Sequence, residues 1–360
     1  MNLRPQITTV LAACLGLTMA FGSTALAQSS LDRAVLGTTT PLTEAQKTAV
    51  EAYISKSVDA IKDGHNAAAI EEARAALISA ARDPASSPTF RKAYAVALIA
   101  ELGPVVKGGD LRRSINAMQV LRFTRTTEGV DMIVERALPA SETDAGKRIA
   151  AAGLVADAFE DLDSNNTYFE TVARRLKDGM AAETDVLALQ QKLAAITAAA
   201  HRKDLPAENA RAVRKSMVEA IALVSKSIRQ SSTPDARVQA LQRALVTVRN
   251  DLLAMSQAER SAMAKSLALA LADLVAAGST QWGPAHQDPA MSASYASVMN
   301  NCEVLLRLID RGERPQAYAG SKPEGDQRVL GPSWESNDKA KFDTESKRWA
   351  DVLGAAPYKG

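Results

Sequence analysis

The stretch from Ser87 to Gly179 decides most of what this chain can fold into. It reads as helix–turn–helix units in tandem, with no strand-like segment between them. Arg91-Lys92, Arg112-Arg113 and Lys147-Arg148 each stand near the start of a predicted helix, and an apolar stripe follows each pair. These stripes are Tyr94, Ala97, Leu98, Leu102; then Ile115, Met118, Leu121; then Ile149, Ala152, Val155. The last two coincide position for position at an offset of 34. Their partner helices, carrying Val130, Ile133, Ala137 and then Phe169, Val172, Leu176, coincide at an offset of 39. A repeat of that length built from two helices is the mark of a solenoid unit. One helix pair cannot bury its own apolar face, so such units stack.

The segments Pro88 to Leu98 and Asp144 to Val155 resemble HEAT-type helical repeats, with a short loop, a basic residue, then small and aliphatic residues at helical spacing. The resemblance covers about a quarter of the chain, roughly residues 87–179, and its motif is degenerate. The Arg112 unit departs from it, with Gln119 where an aliphatic residue is expected. The resemblance implies a stack of helix pairs whose concave surface receives a protein partner.

The rest of residues 42–312 also reads as helix. Thr43 and Gln46 form a predicted capping box ahead of Val50, Tyr53, Ile54, Val58, Ile61, and Gly64 suits the left-handed stop. A second helix carries Ile70, Ala73, Leu77 and Ala81. Beyond Gly179 the expected helices lengthen: about 183–203, then one opened by Pro206, then one opened by Thr233-Pro234. Ser256 and Glu259 predict a second capping box before a helix that stops at Gly278. Residues 279–287, with Trp282, Gly283 and Pro284, read as a loop, and Pro289 opens the last full helix. The fold class is all-α: a helical-repeat solenoid, or a solenoid plus a helical bundle, with a mostly irregular C-terminal tail. Pattern alone does not separate a continued solenoid from a bundle over residues 183–312.

Residues 1–27 read as an export signal. Arg4 supplies the positive end, Val10 to Phe21 an apolar run, and Ala25-Leu26-Ala27 a small-x-small cleavage site. Leu11-Ala12-Ala13-Cys14 resembles a lipobox, which would place a lipid anchor on Cys14. The apolar stretch continues past Cys14 to the conventional site, so cleavage after Ala27 is expected, giving a periplasmic or extracellular protein if the source is bacterial. No later run is long and uninterrupted enough to predict a transmembrane segment; Leu267 to Gly278 is broken by Asp273. Residues 28–41 read as a flexible segment.

The chain carries a formal charge of +2, and removing the signal takes away only Arg4, leaving +1. So balanced a chain has no electrostatic reason to bind nucleic acid. The local bias over 202–251, ten basic against five acidic residues, has few aromatics beside it and reads as solvated helix faces. After cleavage Cys302 is the sole cysteine, so no internal disulfide is expected, and its place on an apolar stripe makes it a buried core thiol.

Catalytic and cofactor motifs are lacking: there is no HExxH, no phosphate-binding glycine loop and no nucleophile elbow. His65, His201 and His286 stand at or beyond predicted helix ends with no second ligand nearby, so no catalytic residue, cofactor or metal is predicted. Asp161, Asp163 and Asn165 open like a calcium loop. The twelfth position is Val172 where a bidentate Glu belongs, and Glu170 reads as half of a capping box with Thr167, so a polar interhelix loop is expected.

Residues 313–360 are polar yet hold Tyr318, Trp334, Phe342, Trp349 and Tyr358, five of the 15 aromatics. A short amphipathic helix showing Phe342, Trp349 and Leu353 is predicted to dock, on the protein's own body or on a partner. The expected function is that of an exported, non-enzymatic protein-binding or scaffold protein. The alternatives are an envelope enzyme whose site is assembled from distant residues, and a structural assembly subunit joined through its tail.

Overall fold

The protein is described by a computed structural model covering residues 31–162, 164–318 and 328–359. The predicted export signal and Cys14 lie outside these residues. Every regular element among them is helical, so the protein is all-α. Helix α1 spans Arg33–Leu36, α2 Glu44–Asp63, α3 Ala67–Arg82, α4 Pro88–Lys107 and α5 Leu111–Leu121. Then come α6 Thr127–Ala137, α7 Ala145–Ala158, α8 Asn166–Met180, α9 Val186–Ala200 and α10 Ala207–Gln230. The chain ends with α11 Val238–Ala254, α12 Gln257–His286, α13 Pro289–Glu313, α14 Leu330–Glu335 and α15 Lys339–Leu353.

Local chemistry sets the helix starts. Oxygen-bearing side chains of Ser87, Asp110, Thr126, Asp144, Asn165 and Asp185 each accept from an amide that the first turn leaves unpaired. Both capping boxes form, Thr43 with Gln46 and Ser256 with Glu259. Gly64 ends α2 at φ 68, a conformation that glycine adopts at no steric cost.

Packing follows a two-row rule. From α2 to α11 each helix touches the helix two places further along: α2, α4, α6, α8, α10 and α12 make one row, and α3, α5, α7, α9, α11 and α13 the other. One hydrophobic core runs without a break from Val35 to Tyr358. The open end of the last pair is covered by the tail, with α14 against α13 and α15 against α12.

Three expectations are corrected. Residues 279–287 are not a loop: α12 continues through Gly278 to His286. Gln281 donates to the carbonyls of Ile228 and Ser231 at 2.9 and 2.8 Å, and Trp282 and Ala285 are buried, so tertiary contacts carry the helix past its expected stop. Second, Thr167 and Glu170 form no capping box. Asn165 caps α8 by accepting from the Tyr168 amide at 3.0 Å, while Glu170 turns away to accept from Asn209. Third, the tail is not mostly irregular: α14 and α15 take up most of its described residues, because its aromatics find a core to enter. Within residues 28–41, α1 buries Val35 and Leu36, and Ser87 donates from its amide to the Leu36 carbonyl at 2.8 Å.

Helix α12 is long and apolar enough to cross a membrane by length and composition. Here α10, α13 and α15 pack against it, and just over half of its most apolar stretch is buried. Asp273, midway along, pairs with Arg229 of α10.

Candidate functional site

The first row leaves an open groove between α2 and α4. Its volume is about 520 Å³, and its walls are Pro41, Leu42 and Val50 on one side and Ala93, Val96, Ala97 and Ala100 on the other. The apolar stripe of α4 (Tyr94, Leu98, Leu102) is buried in the core, which leaves the small residues Ala93, Ala97 and Ala100 to make a shallow floor beside α2. Val96 stands off that stripe and is 64% exposed, the most exposed large hydrophobic side chain among the described residues. From Thr89 to Ala100 the groove follows α4 for about 16 Å, at the usual helical rise of 1.5 Å per residue. Charged groups stand only at its rim: Lys47, Glu51 and Lys92. Lys47 lies 2.7 Å from Glu44, and that hydrogen bond raises its pKa above the ordinary value.

On the other side of α4 lies a second cavity, of about 400 Å³. Arg91 and Lys92 enter it from α4, and Phe123, Thr124, Arg125 and Thr126 from the turn before α6. Lys92 lines both cavities. Asp161, from the predicted calcium loop, reaches the second one and sits 3.5 Å from Arg125. Arg82 and Arg122 stack on Phe123 with guanidinium carbons 5.3 and 4.7 Å from the ring centre.

The histidines stay apart from one another. His201 Nε2 lies 2.7 Å from Asp251 Oδ1, and the ring edges a cavity of about 560 Å³ with Glu160, Arg202, Lys203 and Asp204. No serine, threonine or cysteine side chain bonds to His201 among the described residues. His65 is exposed beside Asp63. Ring nitrogens Nδ1 and Nε2 of His286 face the carbonyls of Trp282 and Trp334 at 2.9 and 3.1 Å. No cluster of three or more metal-ligating side chains occurs among the described residues. Asp161 turns to Arg125 and Asn165 caps α8, while Asp163 lies outside the described residues. Cys302 is wholly buried on α13, and burial pushes its thiol well up, which removes the thiolate that reactivity requires.

The three residues predicted to dock sit on the protein's own body. Phe342, Trp349 and Leu353 are buried on α15, and the Phe342 ring lies 5.0 Å from Trp282 of α12 and 5.7 Å from Trp334 of α14. Trp334 stacks on Tyr295 of α13 at 5.1 Å and donates to the Ser292 carbonyl at 3.0 Å. Two buried carboxylates hold the rest of the tail. Glu303 accepts from the amides of Val329 and Leu330 at 2.6 and 2.7 Å, and Asp310 accepts from the Tyr358 hydroxyl at 3.0 Å.

Sequence reasoning missed both cavities flanking α4. The signal available was slight: Val96 is a large apolar residue out of phase with its helix's stripe. Comparison with protein-family models, with curated proteins and with solved structures finds no match to this chain.

Proposed function

We propose that the protein is an exported, non-enzymatic binding protein, built as a helical-repeat stack, that receives an apolar segment of a protein partner between α2 and α4. The observation that carries this reading is the α2–α4 groove itself, an open channel of about 520 Å³ with apolar walls and with Val96 turned to solvent. A channel about 16 Å long fits roughly three turns of a helix, and docking of an amphipathic helix in an apolar groove is a common recognition mode. The two-row packing supports a repeat stack, because each helix leans on its row neighbour as stacked pairs do. The enzyme alternative draws on the His201–Asp251 pair, which lacks a hydroxyl or thiol partner.

Selection of a random 16-residue peptide display library on the immobilised protein tests the reading. Apolar peptides are expected to be enriched on the wild type and lost on Val96→Glu, a substitution at an exposed site that leaves the core intact. Absence of enrichment, or equal enrichment on Val96→Glu, rejects it.

A further inference from the structure

The two cavities that flank α4 share Lys92 in their linings, and the second is basic. We propose that the segment received in the groove is acidic at one end, and that its carboxylates seat among Arg91, Lys92 and Arg125. This rests on the groove reading above.

Polar satisfaction around the cavity carries the argument. Its hydroxyls are already committed: Tyr94 donates to the Leu77 carbonyl at 3.0 Å, Thr124 donates to the Leu121 carbonyl at 2.7 Å, and Thr126 accepts from the Gly129 amide at 3.2 Å. Its cations are not. The side chains of Arg91 and Lys92 have no hydrogen-bond or ion-pair partner among the described residues. A carboxylate meets the terminal nitrogens of a guanidinium in the planar, two-bond geometry that arginine presents. Arg125 adds a third cation, offset only by Asp161 at 3.5 Å, a pair in which both side chains are more than 40% exposed. The cavity lining thus holds three positive groups against one negative.

The wall charges also orient the segment. Lys92 stands near the start of α4, while the apolar wall continues beyond it through Val96 to Ala100. Glu51, the acidic member of the groove lining, lies one turn further along α2 than Lys47. An incoming chain therefore places its acidic end over Lys92 and its apolar residues over Val96. The protein's near-neutral overall charge makes this a local preference, independent of bulk attraction.

The same display selection tests it, with a second variant carrying Arg91→Gln, Lys92→Gln and Arg125→Asn. Asparagine is chosen at 125 because that backbone is left-handed, at φ 56. Peptides enriched on the wild type are expected to carry more Asp and Glu than Lys and Arg, clustered toward one end. The triple variant should still enrich apolar peptides, without the acidic excess. A synthetic peptide copied from the most enriched acidic sequence should bind the triple variant at least tenfold more weakly, and bind the wild type less tightly as salt rises. Enriched peptides without acidic excess, or an excess unchanged in the triple variant, overturn the proposal and leave the groove reading standing. Failure to enrich any peptide overturns both.

Discussion

Arg148 and Glu183 are joined by two parallel hydrogen bonds, Nε to Oε2 and Nη2 to Oε1, each 2.9 Å long. The Glu183 carboxylate is wholly removed from solvent and also accepts from Lys192 Nζ at 2.7 Å and from the amides of Thr184 and Asp185 at 3.0 Å. The third guanidinium nitrogen, Nη1, donates to the carbonyls of Glu142 and Thr143. The start of α7, the turn before it, the α8–α9 turn and α9 are thereby tied together. Burial works against ionising Glu183, but the hydrogen bonds from Arg148 and Lys192 more than offset it and hold the carboxyl down at about 2. Burial pushes the Lys192 ammonium the other way, down from its ordinary value.

Removing one member of this group should cost far more than removing all of them. Glu183→Gln strands two buried cations, so denaturant unfolding should show a loss of about 3–5 kcal/mol. Changing Arg148, Glu183 and Lys192 together to Met should recover most of that loss. A single-variant loss below about 1 kcal/mol would show that the cluster has access to water.

The same carboxylate gives stability an acid limb. Its folded pKa of about 2 lies below the ordinary 4.5, so its contribution is complete above about pH 4.5 and is lost as pH falls toward 2. The difference is on the order of 3 kcal/mol. Urea midpoints of the wild type should fall across that window, and those of Glu183→Gln should fall less steeply. Parallel slopes would assign the acid limb to other carboxylates.

The docked tail should resist protease. Trypsin is expected to leave the bonds after Lys341, Lys347 and Arg348 intact in the native protein. Trp349→Ala should open them, since it removes a buried indole that is 1% exposed, makes no hydrogen bond through Nε1 and is held by packing. Such a deletion costs about 3–5 kcal/mol. Equal cleavage of wild type and variant would show that Trp349 does not hold α15.

Millimolar calcium should leave the melting temperature unchanged within about 1 °C, because Asp161 faces Arg125 and Asn165 is engaged as a helix cap. A clear rise abolished by Asp163→Ala would reverse this.

Mass spectrometry of the exported form should find Gln28 as its first residue. A lipid-modified Cys14 at the N-terminus would establish anchoring in its place.

Gly278 shows where reading the sequence stops short. A glycine after an apolar run is an ordinary helix terminator, yet here it lies inside α12. A Cβ at that position would stand 3.1 Å from Phe342, 3.2 Å from Met299 Sδ and 3.4 Å from Trp334. The glycine is a seat for rings that arrive from 56 and 64 residues further along the chain. No local pattern announces such an approach, and the extension of α12 to His286 depends on it. The α4 cavities were equally hidden: Val96 is legible as out of phase, but the depth of the groove depends on how far α2 stands from α4.

The sequence by itself determined most of the helices, many of their starts and the faces they bury. Those features follow from 3.6-residue periodicity and from capping side chains that satisfy amides within three residues of themselves. It also determined that the tail's aromatics had to leave water. Tertiary structure alone decided that α14 and α15 close the end of the two rows, that Arg91 and Lys92 border an open cavity without partners, and that Arg148 reaches Glu183, 35 residues away. Each of these is a meeting of side chains distant in the chain. Such a meeting is fixed by the register of one helix row on the other, and no window of local sequence encodes that register.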